Sequence, residues 1–208
     1  MGTTVLEREK LDMAAPTGTA LIVPRGVRVK VDAPTFDALC AANRDVRLER
    51  EADGGLIVMA PAGIDSSGRN ADLVFQVAAW NKAGKRGHVT ESSGGFTLPN
   101  GSVRAPDVAW IVRERWEGVS RMERRRFARI VPDFVAEVLS PSDDRDETRA
   151  KMAEYIAQGV RLGWLIDPDQ QTVEIHRPGR DVETLTKPKT LDGEDVMPGL
   201  VVDLAEIL

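Results

Sequence analysis

The chain has few of the side chains that form disulfides or bind soft metals. Its 208 residues include one cysteine, Cys40, and two histidines, His88 and His176. A single cysteine excludes an internal disulfide and a cysteine-based zinc cluster, and two histidines exclude a histidine-rich metal site. We therefore expect a cytoplasmic protein.

Long hydrophobic runs are also absent. No apolar stretch approaches the roughly 20 residues of a membrane span, and the first ten residues are too polar for a signal peptide. We expect no contact with a membrane. The length of 208 residues and the hydrophobic fraction of 42% favour a globular protein with a full core. The prediction is a flexible arm over residues 1–15, followed by a single domain over residues 16–208.

Positive charge is in the minority. The net charge of −5 argues against broad affinity for nucleic acids, which usually rests on a basic face. The segment from Arg121 to Arg129 departs from this balance, because its five arginines accompany one acid, Glu123. A solvated helix face is the ordinary explanation. The alternative is that Arg121, Arg124 and Arg125 steer a phosphate backbone.

Hydrophobic periodicity and turn residues predict a mixed α/β fold. The expected elements are a helix at 34–42, a hairpin of 46–51 with 56–60, a helix at about 65–82, strands at 88–92, 95–98, 108–112 and 134–139, a hairpin of 163–168 with 172–176, and a short final element within 191–208. An arginine-rich helix capped by Ser120 is expected before the strand at 134–139. The stretch Ser140–Asp144 is expected to start another helix, which ends at Gly159.

Two acidic residues stand in apolar, strand-prone segments. Asp107 follows Pro106 at the start of one strand, and Glu137 lies within another. Burial of a carboxylate costs free energy unless a cation or hydrogen bonds compensate. Side-chain alternation places Glu137 on the same face as Val135 and Leu139. If the two strands are neighbours, both carboxylates converge on one point.

Two explanations of these acids remain open from the pattern alone. In the structural one, Glu137 pairs with an arginine and Asp107 caps a turn. In the functional one, the two carboxylates bind a hard divalent cation such as Mg²⁺ for phosphodiester hydrolysis. Lys151, four residues before Tyr155 on the following helix, is a solvated lysine in the structural explanation. In the functional one it reaches the site over the sheet. Its charge would stabilise the transition state.

The segments that carry these residues also carry a family resemblance. They are Asp53–Pro61, Arg104–Val108, Pro132–Asp143, Lys151–Tyr155, Gly159–Val160 and Trp164–Pro168. In this order they resemble the Uma family of restriction-endonuclease-like proteins, which belongs to the PD-(D/E)XK nuclease superfamily. The resemblance implies a restriction-endonuclease-like core of α/β (α+β) class. Such a core has a mixed central sheet flanked by helices, here with an extra N-terminal hairpin.

The resemblance also implies roles for particular residues. Asp107 and Glu137 would bind Mg²⁺ or Mn²⁺, with Glu49 in the N-terminal hairpin as a further acidic ligand. Lys151 would replace the lysine of the superfamily motif, because Leu139 occupies that motif position.

The chain departs from the family pattern at two places. A glycine, Gly55, stands where the hairpin often has a glutamate, and residues 68–70 lack a histidine that is common near the start of the first long helix.

These expectations combine into a metal-dependent endonuclease that hydrolyses DNA phosphodiester bonds, with DNA as its partner and a homodimer as its assembly. Two other classes of function remain open. The protein could bind DNA or another protein through a degenerate site without cleavage, or it could be a phosphoesterase that acts on RNA or nucleotides.

Overall fold

The chain divides into two compact units in a computed structural model that describes residues 28–208 and the strand Thr4–Val5. The first unit comprises Met1–Ala60 and Gly101–Val103, and the second comprises Pro61–Asn100 and Arg104–Leu208. Apart from that one strand, the predicted arm over residues 1–15 lies outside the described residues.

Among the described residues, the first unit contains short strands and one helix. Its elements are β1 (Thr4–Val5), β2 (Val29–Lys30), α1 (Ala33–Ala42), β3 (Arg47–Arg50) and β4 (Leu56–Met59). The Asp32 side chain caps α1 by accepting a hydrogen bond of 2.7 Å from the backbone N–H of Thr35. Strands β3 and β4 form an antiparallel hairpin. Gly54, with a φ of +92°, makes its left-handed turn. The predicted helix and hairpin are both present.

The second unit contains most of the regular structure. In chain order, with β7 at the boundary between the units, the remaining elements are α2 (Ile64–Gly84), β5 (Gly87–Glu91), β6 (Phe96–Thr97), β7 (Val103–Arg104), β8 (Val108–Val112), α3 (Arg113–Glu117), β9 (Phe134–Val138), α4 (Arg145–Ala157), β10 (Leu162–Asp167), β11 (Thr172–His176), β12 (Glu183–Thr186), β13 (Thr190–Asp192) and β14 (Val201–Asp203). Within residues 28–208, no helix combines the length and the apolar composition needed to cross a membrane.

The central sheet has six strands in the order β12-β11-β10-β9-β8-β5. The β9–β10 pair is parallel, and the other neighbouring pairs are antiparallel. A parallel pair needs a crossover connection, which here is helix α4. The predicted mixed sheet flanked by helices is confirmed.

Alternation of side chains along β8 and β9 divides the core into two layers. In one layer, Leu73 and Val77 of α2 pack with the strand residues Val108, Trp110, Ala136 and Trp164. In the layer beneath α4, Met152 and Tyr155 of that helix pack with the strand residues Ala109, Ile111 and Val135. Glu137 is two residues beyond Val135 on β9, so its side chain belongs to the layer beneath α4.

The prediction of an arginine-rich α-helix is wrong. Helix α3 ends at Glu117, and the arginine segment contains only a 3-10 turn at Glu123–Arg125. Ser120 precedes the capping position, Met122, and its hydroxyl accepts a hydrogen bond of 3.2 Å from the backbone N–H of Glu123. Short helices depend on tertiary packing of an apolar face for their stability. Residues 121–129 have no apolar stripe to bury, so a longer helix does not form there.

Helix α4 begins directly after the predicted start stretch Ser140–Asp144. Asp144 is the capping residue and accepts hydrogen bonds from the backbone N–H groups of Asp146 and Glu147. The preceding Ser140 instead closes a local turn, in which its backbone N–H donates to Asp143 at 2.8 Å. Several residues in this segment are good caps, and the sequence does not rank them. The predicted end of the helix is correct, with Gly159 at a φ of +110°.

Candidate active site

Asp107 and Glu137 come from adjacent antiparallel strands at one rim of the central sheet. Strands β8 and β9 pair Val108 with Ala136, so the next position in this register sets Asp107 opposite Glu137. Residues directly opposite one another project to the same side of a sheet. The backbone N–H of Val138 donates to Asp107 Oδ2 at 2.9 Å and holds this carboxylate against β9. The structure therefore brings the two acids together.

Glu137 is held by two side chains from α4. It is 7% exposed, and its Oε1 lies 2.8 Å from Lys151 Nζ. The Tyr155 hydroxyl, which is fully buried, donates to the same oxygen at 2.9 Å. Residues four apart on a helix project to the same side, which explains why Lys151 and Tyr155 converge. The carboxylate is thus charge-compensated and fixed in direction, as a buried acid requires.

Asp107 is held from its other side by Asn70 of α2. The Asn70 Nδ2 group donates to Asp107 Oδ1 at 3.0 Å. Within the described residues, Asn70 Oδ1 is buried and has no hydrogen-bond partner. In the sequence, residues 68–70 stand out only for the histidine that they lack, and no role was predicted for Asn70. Asn70 precedes Leu73 by three positions and Val77 by seven, so all three residues lie on the buried face of α2. A polar amide on this apolar face is the feature of the sequence that could have indicated a role for Asn70.

The donor atoms at this rim suit a hard cation. They are the carboxylate oxygens of Asp107 and Glu137, and Mg²⁺ and Mn²⁺ prefer oxygen ligands of this kind. Among residues 28–208, no group of three or more histidines, cysteines or acids is arranged to hold a metal. Water and substrate would therefore supply most ligands, which is usual for Mg²⁺. The residues fit a weakly held hard cation.

We expect Tyr155→Phe to reduce the free energy of unfolding by about 2 kcal/mol, the usual contribution of a hydrogen bond to a charged group. The substitution removes only the hydroxyl that donates to Glu137 Oε1. Urea denaturation followed by circular dichroism would measure the change. An unchanged unfolding curve would show that the Tyr155 hydroxyl does not stabilise the buried carboxylate.

Glu49 lies in the first unit, on β3, and is 2% exposed. It is paired in register with Ile57 of β4. Its role as a further metal ligand stays a prediction.

Arg124 is occupied by contacts within its own segment. Its guanidinium donates to the backbone carbonyls of Val119 at 2.9 Å and Trp116 at 2.7 Å. It also lies over the Trp116 ring, 4.3 Å from the centroid, and that ring stacks on His88 at 3.8 Å. These contacts indicate a structural role for Arg124.

The arginine segment lies at the other end of β8 from the two acids. His88, which stacks below Trp116, pairs in register with Ile111, three positions from Val108. At about 3.3 Å per residue this is roughly 10 Å along the strand. Arg121 and Arg125 are exposed. Arg124 therefore lies away from the two carboxylates, and the steering of a phosphate backbone by Arg121, Arg124 and Arg125 stays a prediction.

Two other arginines lie on α4, the helix that carries Lys151. Arg145 and Arg149 project from α4 into a recess that Leu139 and Leu165 also line. Leu165 is the neighbour of Glu137 on β10. Arg145 lies 2.6 Å from Asp167 and Arg149 lies 2.7 Å from Glu174, so each guanidinium is paired with an acid and about half exposed. Sequence reasoning did not select them, because they are isolated charges on a helix.

The two histidines give the stability of the protein a pH dependence. Burial lowers the pKa of His88 and of His176 below the usual 6.5, and Arg124 adds to this effect at His88. At His176, burial outweighs the opposite influence of Glu174 on its pKa. The unfolded chain therefore binds protons more readily than the folded chain below about pH 6.5, and stability falls as the pH drops.

We expect the free energy of unfolding to be lower at about pH 5.5 than at about pH 7, because both histidines resist protonation in the folded state. Urea denaturation at the two pH values would measure the difference. The double variant His88→Gln and His176→Gln should show a smaller difference. If the variant and the wild type lose the same free energy of unfolding between pH 7 and pH 5.5, the assignment to these histidines is contradicted.

The fold and the paired acids with their lysine define a restriction-endonuclease-like protein. The family model Uma2, described as "Putative restriction endonuclease", matches residues 33–205, and the chain belongs to this family. The resemblance seen in the sequence is thereby confirmed. No curated protein matches the chain.

A solved structure has a similar fold. It is the crystal structure of a "putative nuclease belonging to DUF820" from Anabaena variabilis. The TM-score is 0.65 at 22% sequence identity, and the match covers 77% of this chain and 88% of that chain. At this identity the likeness shows the fold alone. Family membership and fold together support a nuclease at a coarse level.

Proposed function

We propose that this protein is an endonuclease that hydrolyses DNA phosphodiester bonds with the help of Mg²⁺ or Mn²⁺. The observation that carries the proposal is the convergence of Asp107, Glu137 and Lys151 at one rim of the sheet, with Lys151 Nζ 2.8 Å from Glu137 Oε1. A lone structural ion pair would explain Glu137, but it would not explain a second acid fixed opposite it by its own hydrogen bonds.

The side chains of the site have separable roles in this mechanism. Asp107 and Glu137 would hold the cation, which when bound polarises a phosphoryl oxygen and acidifies a coordinated water. Tyr155 and the backbone N–H of Val138 keep the two carboxylates in position. Lys151 compensates the charge of Glu137, and its flexible stem lets the ammonium stabilise charge that develops on the phosphate.

DNA would approach along the N-terminal part of α4. Arg145 and Arg149 lie on this helix, N-terminal to Lys151, and both guanidinium groups are partly exposed to solvent. Each is paired with an acid, so the local charge is close to balanced. We therefore expect weak, salt-sensitive DNA binding, consistent with the net charge of −5. A homodimer, which would address both strands of a duplex, stays a prediction.

A substrate panel separates this proposal from its two rivals. Duplex DNA, single-stranded DNA, RNA and a nucleotide phosphodiester would each be incubated with Mg²⁺ and with Mn²⁺, with Glu137→Gln as the inactive control. Cleavage of DNA alone supports the proposal. Cleavage of RNA or the nucleotide alone favours the phosphoesterase. Retention of DNA without cleavage of any substrate favours the binding module.

A further inference from the structure

We propose that Asn70 supplies a third protein ligand, its amide oxygen, to the divalent-cation site of Asp107 and Glu137. The inference rests on the proposed function, because it extends the same site. It concerns a residue on α2, an element that contributes neither of the two acids.

The orientation of the Asn70 amide follows from its neighbour. Asp107 Oδ1 is an acceptor, so the amide directs Nδ2 toward it, at 3.0 Å. The opposite orientation would set two oxygen acceptors against each other. With Nδ2 so engaged, Asn70 Oδ1 is left buried, and it has no partner within the described residues. The hydrogen bond to Asp107 thus keeps this oxygen close to the Asp107 carboxylate.

A buried acceptor without a donor is costly. Its loss of hydration costs about 1–3 kcal/mol, so such atoms in folded proteins usually meet a water or an ion. Asn70 Oδ1 belongs to a side chain that already contacts a carboxylate, and negative oxygens close together favour a cation. Amide oxygens are common ligands of hard divalent cations.

The other buried polar atoms without partners in the described chain do not point to a ligand in this way. They are Thr90 Oγ1, Trp164 Nε1 and His176 Nε2. A hydroxyl can rotate, and an indole N–H is a donor that cannot bind a cation. His176 Nε2 lies 3.4 Å from Glu174, so an acid is already beside it. Asn70 Oδ1 alone among these four atoms is a fixed acceptor whose side chain is bonded to an acid of the site.

Mn²⁺ titration of the metal-free full-length protein by isothermal calorimetry tests the proposal without any substrate. Asn70→Ala is expected to weaken Mn²⁺ affinity by about tenfold. Asn70→Asp keeps an oxygen in place of Oδ1 but sets a second oxygen against Asp107 where Nδ2 donated. A bound cation offsets the repulsion between the two carboxylates, so this variant is expected to bind Mn²⁺ at least as tightly as the wild type does. Asn70→Asp also keeps the test decisive if Asn70→Ala fails to fold.

Asn81→Ala is the matched control. Asn81 lies on the same helix, and both ends of its amide are satisfied, by the Gly87 carbonyl and by the Trp110 indole. Its replacement should reduce stability and leave Mn²⁺ affinity unchanged.

The outcomes distinguish the ligand from the function. Equal Mn²⁺ affinity in Asn70→Ala and the wild type, together with loss of binding in Glu137→Gln, would overturn the role of Asn70 and leave the proposed nuclease site intact. An affinity that falls in Asn70→Asp as much as in Asn70→Ala would also overturn it. Absence of Mn²⁺ binding by the folded wild type would overturn both proposals.

Discussion

Asp107→Asn and Glu137→Gln are each expected to lower the rate of DNA cleavage by about 10²–10³-fold or more, while the protein stays folded. Each substitution removes one negative charge at nearly constant volume. An amide is a much weaker ligand for Mg²⁺ than a carboxylate, and loss of one preorganised electrostatic group at a reaction centre typically has an effect of this size. In both variants the new side chain retains an oxygen that accepts a hydrogen bond, from Val138 N–H or from Tyr155.

Plasmid nicking under single-turnover conditions would measure these rates. Asp133→Asn is the matched control, because Asp133 is also a buried acid, 1% exposed, next to the first residue of the same strand, β9. It pairs with Arg115 at 2.8 Å, and its Oδ2 accepts from the backbone N–H of Val112, at the other end of β8 from Asp107. Asp133→Asn should lose stability and keep its cleavage rate. If Asp133→Asn loses cleavage to the same extent, the effect comes from the loss of any buried acid and not from the loss of a residue of the site.

Lys151→Met is expected to lower the rate of DNA cleavage by about 10²-fold. In the absence of divalent cations it is also expected to lower the free energy of unfolding by about 3 kcal/mol. The ammonium compensates the charge of Glu137, and the side chains of the two residues are only 14% and 9% exposed. Methionine keeps most of the aliphatic stem, so packing changes little. What remains is a buried carboxylate that has lost the lysine charge.

This second prediction includes a rescue. If a divalent cation occupies the site, it provides charge beside Glu137, so Mg²⁺ should stabilise Lys151→Met more than it stabilises the wild type. Urea denaturation in EDTA and in Mg²⁺ would measure both effects. Lys82→Met, at an exposed position on α2, should match the wild type in both solutions. A Lys151→Met protein that unfolds and cleaves as the wild type does would remove this lysine from the mechanism.

Local patterns predicted the two acids and their strands well. A carboxylate in an apolar, alternating segment is visible in the sequence, because burial and alternation are properties of a few consecutive residues. The register that sets Asp107 opposite Glu137 then follows from the pairing of β8 with β9. Lys151 was less evident from its pattern, since most helical lysines are solvated, and the family resemblance selected it.

Contacts between distant segments were not predictable in the same way. Asn70 and Asp107 are 37 positions apart, and only the packing of α2 on the sheet brings the amide to the carboxylate. The charge run at 121–129 suggested a phosphate contact, whereas the Arg124 guanidinium donates hydrogen bonds to nearby backbone carbonyls. A run of arginines in the sequence shows that positive charge is concentrated there. It does not show which groups the long side chains contact, because that depends on the path of the backbone in the folded protein.

Cleavage of supercoiled plasmid by the wild type in Mg²⁺, Mn²⁺ and EDTA tests the central claim most directly. The expected result is nicked and then linear DNA with either cation, and intact plasmid in EDTA or with Glu137→Gln purified by the same procedure. Intact plasmid with both cations, from folded wild-type protein, would contradict the claim. Equal cleavage by Glu137→Gln would contradict it as well, because the activity would then come from outside this site.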